Sequence, residues 1–442
     1  MNVLKRKILQ LVKGNDIKSR LVRGATGVGL LKILSMPLGV AASVIVARYL
    51  GPEGYGKYSF VMTVMTVMSL PIGSGIKQLT TREIASYYDS NNWPFFKGLL
   101  YRSHQWVTAI SLLCILVIGY FSFDYSRLGL KSSWELQFIA ILILPFLGFE
   151  AIRTGTLRGL NHVITAQIPE FLVRPGSHLI IVIILLTSGL LTPTSTLFSQ
   201  LFAAVCAFGV GAYLLRQRMP QGKLNNVKLK YQNKEWFYAW LPFTLLMAAN
   251  LFNNQLGILL LGWFGTDVQI GAFKVASKGA QFVSFPLVIV NMVISPYITK
   301  YFRRGDNKKL QDLSKKSARA ALLLSIPVAF PLIFFGAPIV ELVFGSEYVA
   351  KTVSPLAILT IGQLVSVFFG SVGLFLTMSG YERDTLFGQV TAVIINAILG
   401  FFLIPIIGAT GAALATSAGM VIWNVIMAIK FYQRLNLTPS VW

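Results

Sequence analysis

The sequence predicts an all-α membrane protein with twelve transmembrane helices, and three observations support this. Twelve apolar stretches follow one another along the 442 residues, most of them near or above the roughly 20 residues that an α-helix needs to cross a hydrocarbon core. Hydrophobic residues make up 55% of the chain and charged residues 12%, whereas a soluble domain carries about 25% charged residues. When basic residues at the very ends of the stretches are counted with the adjoining gap, thirty of the 39 basic residues lie at the two ends and in every second gap, against five in the other gaps.

The basic residues also predict the orientation. Under the positive-inside rule, the gaps that hold thirty basic residues face the cytoplasm, so both termini are expected there. The stretches that predict spans are 24–47, 57–75, 105–123, 136–154, 168–188, 195–215, 238–262, 270–296, 320–341, 355–377, 386–406 and 410–430.

The charge of the chain is explained by this topology. A net charge of +23 would suggest nucleic-acid binding in a soluble protein, but here it sits in short cytoplasmic loops such as "KYFRRGDNKKLQDLSKKSAR", where anionic membrane lipid is the expected partner. We therefore expect no nucleic-acid partner.

Cys114 and Cys206 fall inside spans and the three histidines are scattered, so neither a disulfide framework nor a metal site is predicted. No cofactor is predicted.

The chain contains an internal repeat of six spans. "ARYLGPEGYGKYSF" and "LGWFGTDVQIGAFKV" share an aromatic–apolar–glycine pattern, in which Gly56 matches Gly271 at an offset of 215, as Pro71 matches Pro286. With an even number of spans per half, the halves have the same orientation, the plan of a parallel-repeat transporter. We predict a six-helix lobe at 1–218, including an interfacial amphipathic segment at 1–20. An extended cytoplasmic linker at 219–237 and a second lobe at 238–442 follow.

Two acids lie well inside predicted spans, away from the span ends, where an ionisable residue is a functional candidate by default. Glu150 lies three residues before Arg153, and Glu170 four residues before Arg174, spacings that place each pair on one helix face. Two interpretations stay open: each acid neutralises its own arginine, or Glu150 and Glu170 take part in ion coupling.

Four cations also lie well inside predicted spans, away from the span ends: Lys32, Arg174, Lys274 and Lys278. The spans of Lys32, Lys274 and Lys278 contain no acid, and Lys278 lies about 12 Å deep, near the limit of snorkelling to the interface. An unpaired deep lysine in each half predicts a hydrated, positively charged cavity between the lobes, suited to a phosphate or pyrophosphate. Snorkelling lysines are the alternative, above all for Lys274.

Amides cluster in the seventh span, "ANLFNNQLG". Asn250 and Asn254 are one helical turn apart, with Asn253 beside them. Amides at mid-membrane often bond one another across helices, but they also supply the donors and acceptors that sugar hydroxyls need. The sequence leaves both interpretations open.

Four segments carry a resemblance to a known family: "RGATGVGLLKILSMPLGVAASVIVARYLGPEGYGKYSF", "KQLTTREIA", "LVFGSEYVAKTVSPLAIL" and "FLTMSGYERDTLFGQVTAVIINAILGFFLIPIIGATGAALAT". They resemble polysaccharide biosynthesis proteins of the O-antigen flippase (Wzx) type, in the multidrug/oligosaccharidyl-lipid/polysaccharide (MOP) exporter superfamily. The resemblance implies the MATE-like fold of that superfamily. By position, Lys32 and Lys278 match the cavity cations of related lipid II flippases.

The resemblance also implies a function. It suggests a flippase of the bacterial inner membrane that moves an undecaprenyl-pyrophosphate-linked oligosaccharide, of O-antigen, lipopolysaccharide or capsule type, by alternating access. Polysaccharide polymerase or assembly machinery would be a possible partner. A cation-coupled drug exporter of the same superfamily is disfavoured, because such exporters typically need an acid in the first span and Lys32 stands there instead. A membrane glycan polymerase or transferase would place its acids in a large outer loop, and the predicted outer loops are short, so we expect no enzyme.

Overall fold

The computed structural model describes residues 17–122, 134–225 and 227–438, and these residues form helices and no β-strand. The all-α prediction is confirmed. The predicted interfacial segment 1–20 falls mostly outside the described residues and stays a prediction.

The helices follow one another as α1 Ile17–Met68, α2 Ser74–Asp89, α3 Trp93–Ser122, α4 Trp134–Ile141, α5 Leu144–Gly159, α6 Val163–Ile168, α7 Arg174–Thr187, α8 Pro193–Arg218, α9 Gln221–Leu224, α10 Asn233–Phe264, α11 Asp267–Arg303, α12 Asn307–Phe334, α13 Gly336–Phe344, α14 Val349–Phe369, α15 Val372–Met378 and α16 Glu382–Leu435. A π-helical turn, Pro169–Val173, joins α6 to α7, and a 3₁₀ turn, Ser346–Tyr348, precedes α14.

Among the described residues, ten helices are long and apolar enough to cross a membrane. Two of them are far longer than one crossing needs. α1 is interrupted at Gly51 (φ 67°, ψ 177°) and α16 at Gly408 (φ 56°, ψ −127°), backbone conformations that favour glycine. Each of the two therefore has room for two of the predicted spans. The number of crossings, twelve, stays a prediction.

The second span of each repeat begins and ends at nearly matching positions, but only the first repeat breaks its helix in the middle. At the offset of 215, residues 52–89 correspond to 267–304, which is α11 with its C-terminal cap. α11 runs without a break through Pro286, whereas the first repeat breaks at 69–73 around Pro71. Gly73 and Gly75 follow Pro71 closely, and each glycine weakens a helix further. The Trp240 indole donates to the Pro71 carbonyl that the break leaves available (3.1 Å).

The matched glycines of the repeats pack directly on each other. A Cβ on Gly56 would overlap the Asp267 carbonyl, and a Cβ on Gly271 would overlap the Pro52 carbonyl. Each glycine thus faces the carbonyl that lies four residues before the other glycine. Only residues without a Cβ permit so close a crossing of two helix backbones.

The described residues form two compact units, each with its own core. The first holds 17–45, 68–122 and 137–245, and the second holds 46–67, 134–136 and 246–438. Both units draw residues from both halves of the sequence, and the predicted lobe boundary at 219–237 stays a prediction. A core cluster of the first unit contains Leu79, Ile84, Tyr87, Phe96, Leu99, Leu160 and Trp236. One of the second contains Ile294, Ile298, Leu310, Val372, Phe375, Leu376, Met427, Phe431, Leu435 and Leu437.

Large apolar side chains also cover the outside of the helices. Leu116 is 69% exposed, Leu323 70% and Ile406 78%. Soluble proteins rarely expose extensive apolar patches, whereas lipid tails are as apolar as leucine. The exposed residues are those expected of lipid-facing helices in a multi-pass membrane protein.

Candidate functional site

α11 carries the two lysines that the sequence places in the eighth span. Thr266 caps the start of the helix: its hydroxyl accepts from the Gln269 amide (3.4 Å), and the Gln269 side chain accepts from the Thr266 amide (3.1 Å). Lys274 and Lys278 lie one turn apart on the same face of this helix. Lys278 is eleven residues beyond Asp267, about 16 Å along the helix axis.

Both lysines are half-buried, and the charge of Lys278 acts on Lys274. Neither lysine takes part in an ion pair within 17–122, 134–225 and 227–438. Two neighbouring positive charges without a carboxylate produce a local positive potential. This arrangement suits an anionic ligand better than a cationic one.

Lys32 lies in α1, in the first unit, and its side chain is exposed. The Ser35 hydroxyl donates to the Lys32 carbonyl (2.8 Å), a local bond that leaves the ammonium group uninvolved. Lys278 lies in the second unit. The expectation that Lys32 and Lys278 line one cavity stays a prediction.

The amides of α10 bond partly to one another. The Asn254 side chain donates to the Asn250 carbonyl (2.8 Å) and to the Asn250 side-chain oxygen (3.2 Å). Both side chains are exposed, and the buried side-chain oxygen of Asn253 has no hydrogen-bond partner. The amides therefore keep unused donors and acceptors, and their predicted role in glycan binding stays a prediction.

The acids of the fourth and fifth spans do not pair with the arginines of their own helices. Glu170, in the π-helical turn, forms an ion pair with Lys77 of α2 at 2.6 Å. Glu150 is 8% exposed, and its Oε1 is buried without a hydrogen-bond partner. No ion pair joins Glu150 to Arg153, or Glu170 to Arg174, in the part of the chain that the structure describes.

Arg153 finds its partner on α8 instead. Its Nη1 donates to the Phe208 carbonyl, and its guanidinium lies 3.6 Å from the centroid of the Phe208 ring, a cation–π contact. Gly211 makes room for it, because a Cβ there would lie 3.3 Å from Arg153 Nη1. Arg153 is thus held by a backbone oxygen and an aromatic face rather than by Glu150.

Lys77 is the charged residue that the sequence did not single out. It lies just beyond the apolar stretch at 57–75, where it counts as one more cytoplasmic basic residue. The break around Pro71 starts a new helix at Ser74, and α2 packs on α5 so closely that a Cβ on Gly155 would lie 2.7 Å from the Lys77 carbonyl. This packing brings Lys77 to Glu170.

A cavity of about 280 Å³ lies next to Arg153, between α3, α5 and the end of α8. Its lining includes His104, whose Nδ1 bonds the Leu100 carbonyl (2.7 Å) and whose ring stacks on Phe149 at 5.6 Å. The cavity is lined by His104, Arg153, Ala212, Leu215, Arg216 and Met219.

The linker 219–237 is docked on the first unit. The Trp236 indole donates to the Tyr87 hydroxyl (2.9 Å), and that hydroxyl donates to the Gln232 side chain (2.8 Å). The backbone amide of Lys230 donates to the Pro94 carbonyl (3.2 Å). The linker is non-helical at 227–232, and it is helical at 221–224 and from residue 233 onward. The contacts of Lys230, Gln232 and Trp236 hold it against α2 and α3, and the extended cytoplasmic connection stays a prediction.

The chain was compared with known proteins. A family model described as polysaccharide biosynthesis protein matches residues 21–302. A probable low-salt glycan biosynthesis flippase, Agl15 of Haloferax volcanii, is 24% identical over 206 residues, which are 46% of this chain and 43% of that protein. The chain thus spans less than half the length of this relative.

Solved structures show the fold. An inward-facing MATE family multidrug resistance transporter of the MOP superfamily matches with a TM-score of 0.78 and 13% identity, covering 91% of this chain and 94% of that one. The lipid II flippase MurJ, in an inward closed conformation, matches with a TM-score of 0.69 and 16% identity, covering 92% and 89%. The predicted MATE-like fold of the MOP superfamily is confirmed, as is the resemblance drawn from the sequence.

Proposed function

The chain belongs to the polysaccharide biosynthesis protein family, and we propose that it is a flippase that moves a polyprenyl-pyrophosphate-linked oligosaccharide across the bacterial inner membrane by alternating access. The glycan would be an O-antigen or capsule-type repeat unit, moved from the cytoplasmic to the periplasmic leaflet. The termini and the linker 219–237 would face the cytoplasm, as the distribution of basic residues predicts.

The observation that carries this proposal is the unpaired lysine pair on α11. A charge held in hydrocarbon costs about 3 kcal/mol or more, and Lys278 is half-buried about 16 Å from the start of its helix. A pyrophosphate would neutralise it while the glycan meets polar side chains and the polyprenyl tail stays in lipid. We therefore assign pyrophosphate recognition to Lys278, assisted by Lys274 one turn away on the same helix. The part that the sequence predicts for Lys32 and Arg174, which lie in the first unit, stays a prediction.

The amide side chains of α10 would bind the glycan part of the substrate. A glycan presents hydroxyl groups that both donate and accept hydrogen bonds, and Asn250, Asn253 and Asn254 have capacity for both. They lie on α10, which precedes α11 in the second unit. Side chains of this type would bind sugar hydroxyls without requiring one particular sugar.

Purified protein reconstituted in liposomes with a lipid-linked oligosaccharide tests the proposal. A membrane-impermeant reagent that modifies the glycan reports how much substrate has reached the outer leaflet. Lys278→Ala should weaken substrate affinity about ten- to a hundred-fold, since it removes a charge-assisted contact of about 1.5–3 kcal/mol. Lys278→Glu should be worse, because it repels phosphate, and Lys274→Ala should have a smaller effect than Lys278→Ala, because Lys274 lies one turn nearer the start of the helix.

Lys316→Ala is the matched control, because that lysine side chain is 80% exposed on α12. Flipping by the Lys32→Ala/Lys278→Glu double variant at the wild-type rate, at equal protein levels, would contradict the assignment of both lysines. Exchange of a cationic drug but of no lipid-linked glycan would favour the drug-exporter alternative instead.

A further inference from the structure

Glu150 is a buried acid whose partner is missing. It lies on α5, its residue is 8% exposed, and Oε1 has no hydrogen-bond partner. An ionised carboxylate that is buried and left without hydrogen bonds costs several kcal/mol, and proteins normally pair or neutralise such groups. A group in this position is either protonated or waiting for a partner that it gains in another state of the protein.

Charged groups on several helices act on Glu150, and they carry two more positive charges than negative ones, or one more when an ionised Glu150 is counted with them. Two further helices pack beside it through Phe149, the residue before Glu150. His104 of α3 stacks on Phe149, and the uncharged ring of Phe208 on α8 packs against Phe149 as well. The charged groups that act on Glu150 are Lys77 of α2, Arg153 of its own helix, Glu170 of the π-helical turn and Arg174 of α7.

Two of these cations are already engaged. Lys77 is bound to Glu170 at 2.6 Å, and Arg153 to the Phe208 carbonyl and ring. Arg174 is half-buried and lies within electrostatic reach of Glu150. Glu150 can therefore compete with Glu170 for Lys77. The ion pair between Lys77 and Glu170 joins two different helical segments, so it can be exchanged without breaking either helix.

The surroundings favour a proton over a metal ion as the ligand of Glu150. A hard cation such as Na⁺ or Ca²⁺ is held by several oxygen ligands, and the described residues contain no cluster of three or more His, Cys, Asp or Glu side chains. Lys77, Arg153 and Arg174 would also repel a metal ion. A proton needs a single oxygen, and Glu150 Oε1 is available.

We propose that Glu150 is a proton-binding site that couples transport to the proton gradient, and that its ionised carboxylate competes with Glu170 for Lys77. This inference rests on the proposed function only for the identity of the transported substrate. When Glu150 carries a proton it is neutral, and Lys77 stays with Glu170. When that proton leaves to water, the Glu150 carboxylate attracts Lys77 or Arg174, and the ion pair with Glu170 weakens.

The packing of the helices confines this change to side chains and the π-helical turn. A Cβ on Gly155 would overlap the Thr80 hydroxyl, and one on Gly159 would lie 2.7 Å from Ile84, so α2 and α5 have no room to approach further. Glu170, by contrast, lies in Pro169–Val173, a π-helical segment of the kind often found at functional sites. A change of partner at Lys77 therefore acts on the segment that joins α6 to α7.

A spectroscopic experiment tests the site without any substrate. Infrared difference spectra of the protein in lipid, recorded on changing the pH, should show one protonated-carboxyl band that disappears in Glu150→Gln. Glu235→Gln is the matched control, because Glu235 is exposed at the start of α10, and it should keep the band. Glu150→Leu, which replaces the acid by an apolar side chain, serves if the amide variant does not fold. Persistence of the band in every folded variant at 150 would overturn the site.

A transport experiment tests the coupling. In liposomes, the steady-state distribution of the lipid-linked oligosaccharide between the leaflets should shift by up to about tenfold per unit of imposed pH difference for one coupled proton. The shift should be absent in Glu150→Gln and present in Glu235→Gln. Wild-type flipping with no response to the pH difference would refute the coupling and leave the proposed function standing. A carboxyl band that depends on Glu150, in a protein that flips no lipid-linked glycan, would support the site and refute the proposed function.

Discussion

Alanine at Gly56 or Gly271 should destabilise the protein through one shared contact. The obstacle to the new Cβ is in each case a backbone carbonyl of the opposite helix, Asp267 for Gly56 and Pro52 for Gly271. A backbone carbonyl, unlike a flexible side chain, cannot rotate out of the way. The two helices must therefore separate to accommodate either methyl group.

The size of the effect follows from two opposing terms. Overpacking a close contact costs about 1–3 kcal/mol, and alanine returns about 0.5–1 kcal/mol because it favours a helix more than glycine does. Each single variant should thus lose about 0.5–2 kcal/mol of unfolding free energy. The double variant should lose less than the sum, because the separation forced by the first methyl group also makes room for the second.

Unfolding of the purified variants in detergent, by heat or denaturant, measures these differences. Gly39→Ala is the control: Gly39 lies on the same helix as Gly56, and nothing lies within 4 Å of an added Cβ. That variant should be as stable as the wild type or slightly more so. Strict additivity of the two substitutions, or single variants as harmless as Gly39→Ala, would refute the shared contact.

Three further predictions follow from other contacts. Tyr87→Phe should cost about 1–3 kcal/mol, because it leaves the buried Trp236 indole without its acceptor, whereas the exposed Tyr88→Phe should cost little in the same unfolding measurement. Gly408→Ala should cost more than Gly189→Ala: both glycines have positive φ, which costs alanine about 1–2 kcal/mol, but only at Gly408 would the methyl group also meet a side chain. Reporter fusions at residues 225 and 350 should be active on the cytoplasmic and periplasmic sides, respectively; the reverse pattern would contradict the topology.

The fold was predictable because the membrane imposes strong constraints on the sequence. Backbone groups in lipid must be satisfied within each segment, so a long apolar stretch has few alternatives to a helix. The breaks within the helices are less predictable. Pro71 and Pro286 hold matching places in the repeats, yet only the first interrupts its helix, because the glycines that follow Pro71 add to its effect. A proline alone gives the position of a possible break, and its neighbours decide the outcome.

The candidate site was predictable by residue type but not by pairing. Charged residues inside apolar stretches are conspicuous, and Glu150, Glu170 and Arg174 were found in that way. Their spacing suggested ion pairs within each helix, whereas Glu170 pairs with Lys77, 93 residues away. The rule for helical spacing describes which side chains share a face, and it carries no information about a cation that another helix presents to that face.

The cationic pair of α11 has no charged counterpart in the first repeat. At the offset of 215, Lys274 and Lys278 correspond to Ser59 and Thr63. Both of those residues are buried, and the Thr63 hydroxyl lies 3.5 Å from its acceptor Gln255. The duplicated helix thus carries small polar residues in one copy and ammonium groups in the other, so the anion contacts proposed for Lys274 and Lys278 have no counterpart at these positions of the first repeat.

The acid of α5 shows the opposite asymmetry. The segments "RGLNHVITAQI" and "SGYERDTLFGQV" form a second match between the repeats, with Gly159 against Gly380 at an offset of 221. At that offset Glu150 corresponds to Ser371, whose hydroxyl donates to the Asn291 side chain. The second repeat therefore satisfies this position with a neutral hydrogen bond that does not depend on pH, where the first repeat leaves a buried carboxyl without a partner. A symmetric duplication would bind the same ligands in both halves. In the proposals, Lys278 of the second repeat binds the anion and Glu150 of the first repeat binds the proton, so each principal binding group stands at a position where the other repeat has a neutral residue, Thr63 or Ser371.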